Sequence, residues 1–297
     1  MNNTSRILLC MFIIIIIAIF SSPSQPSTQS DIPKQIWTYW NSDDIPIFVK
    51  DCIRTWQYHN PSWNITILTN STLNIYLSTD ILHYKHADSP ARISDFIRLQ
   101  ILERYGGIWM DSTMLCSAPL DFILEQQLTT KASFVGYYIA GYTTDPTYPI
   151  IESWFLAAPP KSPFIRDWNK EFLRINTFDS VNAYITNLRY QNINLQKIDA
   201  PEYLAIHCAC QKVLQTHPPN YYNTHVTSAE QGPYKYKKEN DWNSQRGLER
   251  LCQSPDLYMT PLVKFTGWER KLLMDDPILA DCIIRNAKSQ KTKIDLI

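Results

Sequence analysis

The sequence predicts an α/β fold in which a mixed, mostly parallel sheet is flanked by helices. Three segments carry this prediction, a strand at residues 32–40, a helix at residues 47–59 and a second strand at residues 63–68. A strand, a helix and a strand in this order are typical of a parallel βαβ unit. Ligands of such open sheets bind at the carboxyl ends of the strands, so functional side chains are expected there.

Composition limits the classes of partner. The chain has 297 residues, of which 44% are hydrophobic, enough for one large domain with a sizeable core. Lys plus Arg number 28 and Asp plus Glu also number 28, so no net charge favours nucleic acid or an anionic membrane surface. We therefore expect a partner that is recognised locally, and no nucleic acid.

The N-terminus carries a membrane-entry signal. Residues 7–20 are an unbroken apolar run of fourteen that follows Arg6 and precedes a Ser/Pro-rich stretch. The run would span only about 21 Å as a helix, less than a bilayer core of about 30 Å. Because no small-x-small cleavage site follows, the pattern favours an uncleaved signal anchor, with a cleaved signal peptide as the alternative. Residues 1–30 are thus interpreted as anchor and stem, and residues 31–297 as one large domain.

The charge before the anchor predicts the compartment of the body. A basic residue on the N-terminal side places that end in the cytosol, so the chain is expected to be a single-pass type II membrane protein with a lumenal or extracytoplasmic body, or else a secreted one. Sequons at Asn64 and Asn70 fit this route. Six cysteines outside the anchor permit disulfides, but their pairing cannot be read from the sequence, since six allow fifteen pairings. Cys208 and Cys210 have no matching second pair, so a structural zinc site is not expected.

The clearest helix begins at Ser89-Pro90 and ends before Gly106-Gly107. Its apolar residues recur at helical spacing, and Asp95 and Arg98 lie three residues apart on the side away from Ile93 and Ile97. A short apolar strand, residues 108–110, follows the glycines and delivers Asp111 to the carboxyl edge of the sheet. Further strands are predicted at residues 133–138 and 154–158, a helix at residues 163–175 and a long loop at residues 221–247.

The motif Ser94-Asp95-x-x-Arg98, followed by Gly106-Gly107-x-x-x-Asp111, resembles the signature of the family-32 glycosyltransferases and their capsular-polysaccharide-synthesis relatives. The opening Ile32-Pro33-Lys34-x-Ile36-Trp37 also resembles the first strand of that family, so the likeness covers residues 32–119. It implies a GT-A (Rossmann-like) glycosyltransferase fold and a retaining transfer of a hexosyl unit. The donor would be a nucleotide sugar, and the acceptor a glycan, polysaccharide or glycoconjugate, as in polysaccharide biosynthesis.

The same resemblance implies donor-binding roles for six residues, one of which is Asp111. Asp95 corresponds to a residue that accepts hydrogen bonds from the donor hexose, and Arg98 to one that reaches the sugar or its phosphate, a task that suits a guanidinium fork. Ser94 belongs to the same segment. Trp40 or Tyr39 corresponds to the position that stacks on the nucleotide base, although packing in the core is an equally good interpretation of these rings.

Asp111 corresponds to a carboxylate of the family's Asp-x-Asp motif, and Thr113 stands where the second acid would be. The family uses this motif to hold a divalent metal, Mn²⁺ or Mg²⁺, beside the donor diphosphate. We predict Asp111 and Thr113 as metal ligands and Asp111, Asp95 and Arg98 as the catalytic group. The missing second acid puts the metal in question and leaves one rival function, a catalytically inactive sugar-nucleotide or glycan-binding protein of the same fold. A second rival is a secreted, disulfide-bonded binding module without a nucleotide site.

Overall fold

A six-stranded sheet organises residues 31–290, the part of the chain that the computed structural model describes. Its strands are β1 (Gln35–Tyr39), β2 (Asn64–Leu68), β3 (Gly107–Met110), β5 (Phe134–Tyr138), β6 (Ile151–Ala158) and β7 (Thr224–Ser228), and a separate pair consists of β4 (Met114–Cys116) and β8 (Leu262–Lys264). The order across the large sheet is β2-β1-β3-β6-β5-β7. β1 pairs in parallel with β2 and β3, β5 pairs in parallel with β7, and β6 runs antiparallel to both of its neighbours. The predicted α/β class with a mixed, mostly parallel sheet is confirmed.

Helices cover both faces of this sheet. They are α1 (Ile47–His59), α2 (Pro90–Tyr105), α3 (Asp121–Thr130), α4 (Pro163–Leu173), α5 (Val181–Tyr190), α6 (Ala205–Gln215), α7 (Lys235–Lys238), α8 (Ser244–Gln253), α9 (Pro255–Tyr258), α10 (Gly267–Asp275) and α11 (Pro277–Ser289). Side chains alternate across β3, where Trp109 packs with α2, α4 and α6 on one face, while Ile108 and Met110 pack with α1 and α3 on the other. Both faces of the strand are therefore buried, as its short apolar sequence predicts.

The turn from α2 into β3 requires both of its glycines. Gly106 and Gly107 have φ values of +64° and +99°, in the region that glycine adopts most easily. A Cβ on Gly106 would also lie 2.4 Å from the nitrogen of Pro160, and one on Gly107 would lie 2.5 Å from the carbonyl oxygen of Gln35. The chain can thus leave the helix, enter β3 at once and end it at Asp111.

Besides the apolar residues on the two faces of the sheet, residues from α7 to α11 form a third apolar cluster that packs against α1. Phe48 of α1 packs there with Leu115 of β4, Val263 of β8 and residues of α8, α10 and α11. A disulfide between Cys252 and Cys282 joins α8 to α11, a pairing that the sequence left open. The small antiparallel sheet, with Met114 opposite Lys264, connects this cluster to the end of β3.

The prediction of a long loop at residues 221–247 is wrong. This segment contains β7, a 3₁₀ turn at Ala229–Gln231, α7 and the beginning of α8. Its elements are short and polar, and pairing with β5 and burial against the C-terminal cluster stabilise them, so they leave no hydrophobic period in the sequence.

The predicted anchor and stem, residues 1–30, lie outside the described residues. Among residues 31–290, no helix combines the length and the apolar character needed to span a bilayer.

Candidate active site

A deep cleft opens where the carboxyl ends of β1 and β3 meet. Its volume is about 1000 Å³, within the usual size of a small-molecule site. Because β6 is antiparallel to β3, the beginning of β6 lies at this same edge, and the backbone N–H of Asp111 donates to the carbonyl of Trp154 over 2.9 Å. All seven residues predicted for the site line the cleft: Tyr39, Trp40, Ser94, Asp95, Arg98, Asp111 and Thr113.

Arg98 stands at the centre of the three predicted catalytic side chains. Its Nη2 lies 3.2 Å from Oδ1 of Asp95 and 3.4 Å from Oδ1 of Asp111. Its Nη1 donates to the backbone oxygen and to Oγ of Ser153, both over 2.7 Å, and Nη2 donates to Oγ of Ser94 over 2.9 Å. Only 5% of the residue is exposed, so the guanidinium is held in one orientation between two carboxylates.

Asp95 and Arg98, predicted on the side of α2 away from Ile93 and Ile97, are both buried. Asp95 is 7% exposed. Burial raises its pKa, while the charges of Arg98, Arg92 and His207 oppose that rise. A buried carboxyl group at the wall of a cleft is suited to accept hydrogen bonds from a polar ligand.

Asp111 is surrounded by hydrogen-bond donors. Lys264 Nζ lies 2.7 Å from Oδ2, and Trp109 Nε1 donates to Oδ1 over 3.0 Å. Burial raises the pKa of Asp111, but the charges of Lys264 and Arg98 outweigh it, so the pKa is lowered overall. The stability from ionised Asp111 is therefore present above the unfolded pKa of about 3.9 and is lost as the pH falls through the lower folded value.

The two aromatic residues after β1 have different environments. Tyr39 is 6% exposed, its hydroxyl donates to Asn70 Oδ1 over 2.5 Å, and burial raises its pKa to about 12. Trp40 is only half-buried, and the guanidinium of Arg270 lies 5.7 Å from its ring centroid. Of the two rings, Trp40 has the accessible face that stacking on a base requires.

Sequence reasoning missed the basic residues that the C-terminal part brings to the cleft. Lys264 ends β8 and Lys237 lies in α7, where its Nζ is 3.0 Å from Oε1 of the fully buried Glu269. Arg270 of α10 completes the set. The segment at residues 264–266 resembles the family only loosely, so the sequence held no specific signal for these positions.

Residues of β6 and α6 also line the cleft. Glu152 and His207 lie there with Oε2 and Nε2 3.4 Å apart, and Tyr142 and Tyr203 are nearby on the wall.

The predicted metal ligands do not fit a divalent cation. Thr113 is 5% exposed and its Oγ1 donates to the carbonyl of Phe265 over 3.0 Å. Both oxygens of Asp111 contact cationic side chains, which a bound dication would repel. In residues 31–290, no three His, Cys, Asp or Glu side chains converge as a metal site. Mn²⁺ and Mg²⁺ need several oxygen ligands, and this donor set offers one carboxylate that is already paired.

Comparison with known proteins agrees with the resemblance that the motifs suggested. A family model described as capsular polysaccharide synthesis protein matches residues 14–234. An O-glycosyltransferase, braB, of Annulohypoxylon truncatum is 24% identical over 162 residues, which are 48% of this chain and 37% of that protein. Inositol phosphoceramide mannosyltransferase 1 of Schizosaccharomyces pombe is 26% identical over 151 residues, 48% of this chain and 43% of that protein. The chain therefore spans less than half the length of these relatives.

Two solved structures resemble the chain weakly over most of its length. The PaToxG glycosyltransferase superimposes with a TM-score of 0.38 at 12% identity, with 88% of each chain covered. The galactosyltransferase LgtC, in complex with donor and acceptor sugar analogues, gives a TM-score of 0.42 at 10% identity, with 86% of this chain and 95% of that chain covered. The GT-A-type α/β fold expected for this chain is recognised from its own strand order and from the cleft at the carboxyl edge of its sheet.

Proposed function

The chain belongs to the family of capsular polysaccharide synthesis proteins, and on this premise we propose that it is a nucleotide-sugar-dependent hexosyltransferase. Its acceptor would be a glycan, polysaccharide or glycoconjugate, and the transfer would retain the configuration of the donor sugar. The names of the curated relatives, one an O-glycosyltransferase and one a mannosyltransferase, support sugar transfer as the reaction class.

One observation carries the proposal, the convergence of Asp95, Arg98 and Asp111 in a single cleft. The three heads are linked through one guanidinium, with contacts of 3.2 and 3.4 Å. A sugar diphosphate presents hydroxyls and phosphate oxygens side by side. The carboxylate of Asp95 and the guanidinium fork of Arg98 are also side by side, so they can bind the hydroxyls and the phosphate oxygens of one ligand.

We assign two parts of the cleft wall to the two substrates. The nucleotide would lie at Trp40 and Arg270, where stacking on the ring would contribute about 1–3 kcal/mol. The hexose would then lie at Asp95. The acceptor would enter past Tyr142 and Tyr203, whose rings suit the apolar face of a sugar. A front-face reaction, in which the departing phosphate takes the acceptor proton, needs no protein nucleophile and would retain configuration.

A ligand screen tests this function. The full-length protein in detergent is melted with uridine and guanosine diphosphates and with their hexose conjugates, each in EDTA and in Mn²⁺, and hydrolysis of the conjugates is then followed. We expect at least one conjugate to raise the melting temperature and to be turned over. Stabilisation without turnover, with water or with glycan acceptors, would favour the inactive binding protein. No stabilisation by any of these compounds would reject the proposal.

We further propose that residues 31–290 fold in an oxidising compartment, lumenal or extracytoplasmic, with the predicted N-terminal anchor in a membrane or with the chain secreted. The Cys252–Cys282 disulfide supports this, since disulfides persist in such compartments. Asn64 and Asn70, the two sequon asparagines, are both exposed.

Removing this disulfide should destabilise the protein. The bond closes a loop with a sequence separation of 30, so chain entropy predicts that Cys252→Ser with Cys282→Ser lowers the free energy of unfolding by about 3–4 kcal/mol. Urea unfolding measures this change. Within residues 31–290, alkylation of the unreduced, denatured protein should label the four thiols of Cys52, Cys116, Cys208 and Cys210 but neither Cys252 nor Cys282. Labelling of both, with unchanged stability, would contradict the assignment.

A further inference from the structure

The ammonium of Lys264 occupies the position beside Asp111 at which the family motif predicts a metal. Nζ lies 2.7 Å from Oδ2, and the side chain is 9% exposed. On the other oxygen of the same carboxylate, Arg98 Nη2 lies at 3.4 Å. Asp111, whose side chain is 25% exposed, therefore contacts two buried cations, and Arg98 is shared with Asp95.

The backbone of Lys264 is held firmly. The residue pairs with Met114 in the small sheet, its N–H donates to the carbonyl of Pro233 over 3.1 Å, and its own carbonyl accepts from the Tyr236 hydroxyl over 2.9 Å. The ammonium therefore extends into the cleft from a fixed strand end. Preorganised charge of this kind stabilises a developing anion without the cost of reorganisation.

The ammonium also has donors to spare. It carries three N–H groups, and among the described residues its hydrogen bond goes to Asp111. A phosphate oxygen could accept another of these protons while the Asp111 contact stays in place. Asp111 then acts as a positioning residue, because it fixes the ammonium at the edge of the cleft.

We propose that Lys264, together with Arg98, neutralises the leaving diphosphate in place of a divalent metal, so that this chain binds its donor and transfers the sugar without a metal ion. The inference rests on the proposed function and specifies its mechanism. The donor that fits is a nucleoside diphosphate sugar whose phosphates meet the ammonium and the guanidinium directly.

The reaction balances without a further reactant. The bond between the anomeric carbon and the diphosphate oxygen breaks, and its electron pair stays on that oxygen. The acceptor oxygen forms the new bond to the anomeric carbon, and its proton moves to the departing phosphate. The terminal phosphate gains charge before the proton arrives, and at that moment the two cations have their largest effect.

The test is the binding of uridine and guanosine diphosphates to the full-length protein in detergent, measured by calorimetry after treatment with a chelating resin. Each titration is run in EDTA and in Mn²⁺. We expect the Kd of the diphosphate that binds to agree within about twofold between EDTA and Mn²⁺. Turnover of its hexose conjugate should be equally insensitive to the metal. A twofold change in Kd is well below the tenfold change that corresponds to about 1.4 kcal/mol of binding free energy.

Lys264→Met keeps the length of the side chain and removes its charge. A lost charge-assisted hydrogen bond should weaken metal-free diphosphate binding by about 10- to 100-fold. Lys264→Arg should retain most of the affinity. The matched control is Lys238→Ala, which removes a positive charge from an exposed position of α7 and should leave the Kd unchanged.

Each remaining outcome decides one of the two proposals. Binding that occurs in Mn²⁺ and not in EDTA would overturn the role of Lys264 and leave the proposed function standing. Metal-free binding that Lys264→Met does not weaken would also overturn it. If no diphosphate or nucleotide sugar binds in either condition, the proposed function itself fails. If Lys264→Met does not melt cooperatively, the comparison of EDTA with Mn²⁺ in the wild type still decides.

Discussion

Asp111→Ala is expected to lower the rate of sugar transfer at least about 100-fold, the scale of losing a principal group at the site where charge develops. The substitution removes the carboxylate that holds Lys264 at 2.7 Å and that contacts Arg98 at 3.4 Å. Two buried cations would then repel each other without a shared anion. Steady-state turnover of the nucleotide sugar identified in the ligand screen measures the loss.

Asp179→Ala is the matched control for this change. Asp179 is fully exposed and forms a surface ion pair with Lys85, so its loss should leave turnover unchanged. Asp111→Asn separates charge from shape, because the amide keeps the size of the carboxylate but no longer balances Lys264. We expect Asp111→Asn to be nearly as slow as Asp111→Ala. Full activity of Asp111→Ala would remove Asp111 from the site.

Arg98→Ala is expected to affect both activity and stability. It leaves Asp95 buried without its closest cation, and breaking a buried ion pair costs about 3–5 kcal/mol of unfolding free energy. Turnover should fall about 100-fold or more, since the guanidinium also positions Asp111. Arg98→Lys keeps the charge but cannot reproduce the guanidinium fork that reaches Ser94 and Ser153. It should therefore recover only part of the turnover and part of the unfolding free energy.

The chain contains a matched control in the same type of pair. Arg54 and Asp51 are also three apart on a helix, with Nη1 and Oδ1 at 2.6 Å, but the arginine side chain is 54% exposed. Arg54→Ala should change the free energy of unfolding by no more than about 0.5 kcal/mol, the value of a surface pair. Equal effects of the two substitutions, measured by urea unfolding, would show that the Arg98 pair is only a helix-surface contact.

Local sequence patterns were sufficient to predict the positions of Asp95, Arg98 and Asp111. The helix that begins at Ser89 follows from its cap and first-turn proline, since Ser89 Oγ accepts from the Arg92 N–H over 3.2 Å. The spacing of Asp95 and Arg98 on that helix, and the place of Asp111 after a short buried strand, are likewise determined within about twenty residues. These positions could therefore be predicted before any tertiary contact was known.

The positions of Lys264 and Ser153 in the site depend on contacts between segments that are distant in sequence. Lys264 reaches Asp111 from 153 residues away, and Ser153 reaches Arg98 from 55 residues away because β6 runs antiparallel to β3. Nothing in the local pattern marks Lys264 as buried or paired. The sequence therefore predicted a metal where the structure has an ammonium, because the motif around Asp111 could be recognised in the sequence and the pairing of Asp111 with Lys264 could not.

The pairing of β4 with β8 also has a consequence for the order of folding. β4 follows β3 directly, but its partner β8 comes after every strand of the large sheet, so the two can join only once those strands have been synthesised. Until then Asp111 has Arg98 as its nearest cation and lacks the ammonium of Lys264. A nascent chain can therefore assemble its large sheet before Lys264 reaches Asp111, and the role proposed for Lys264 predicts that nucleotide affinity appears only when β8 has paired with β4.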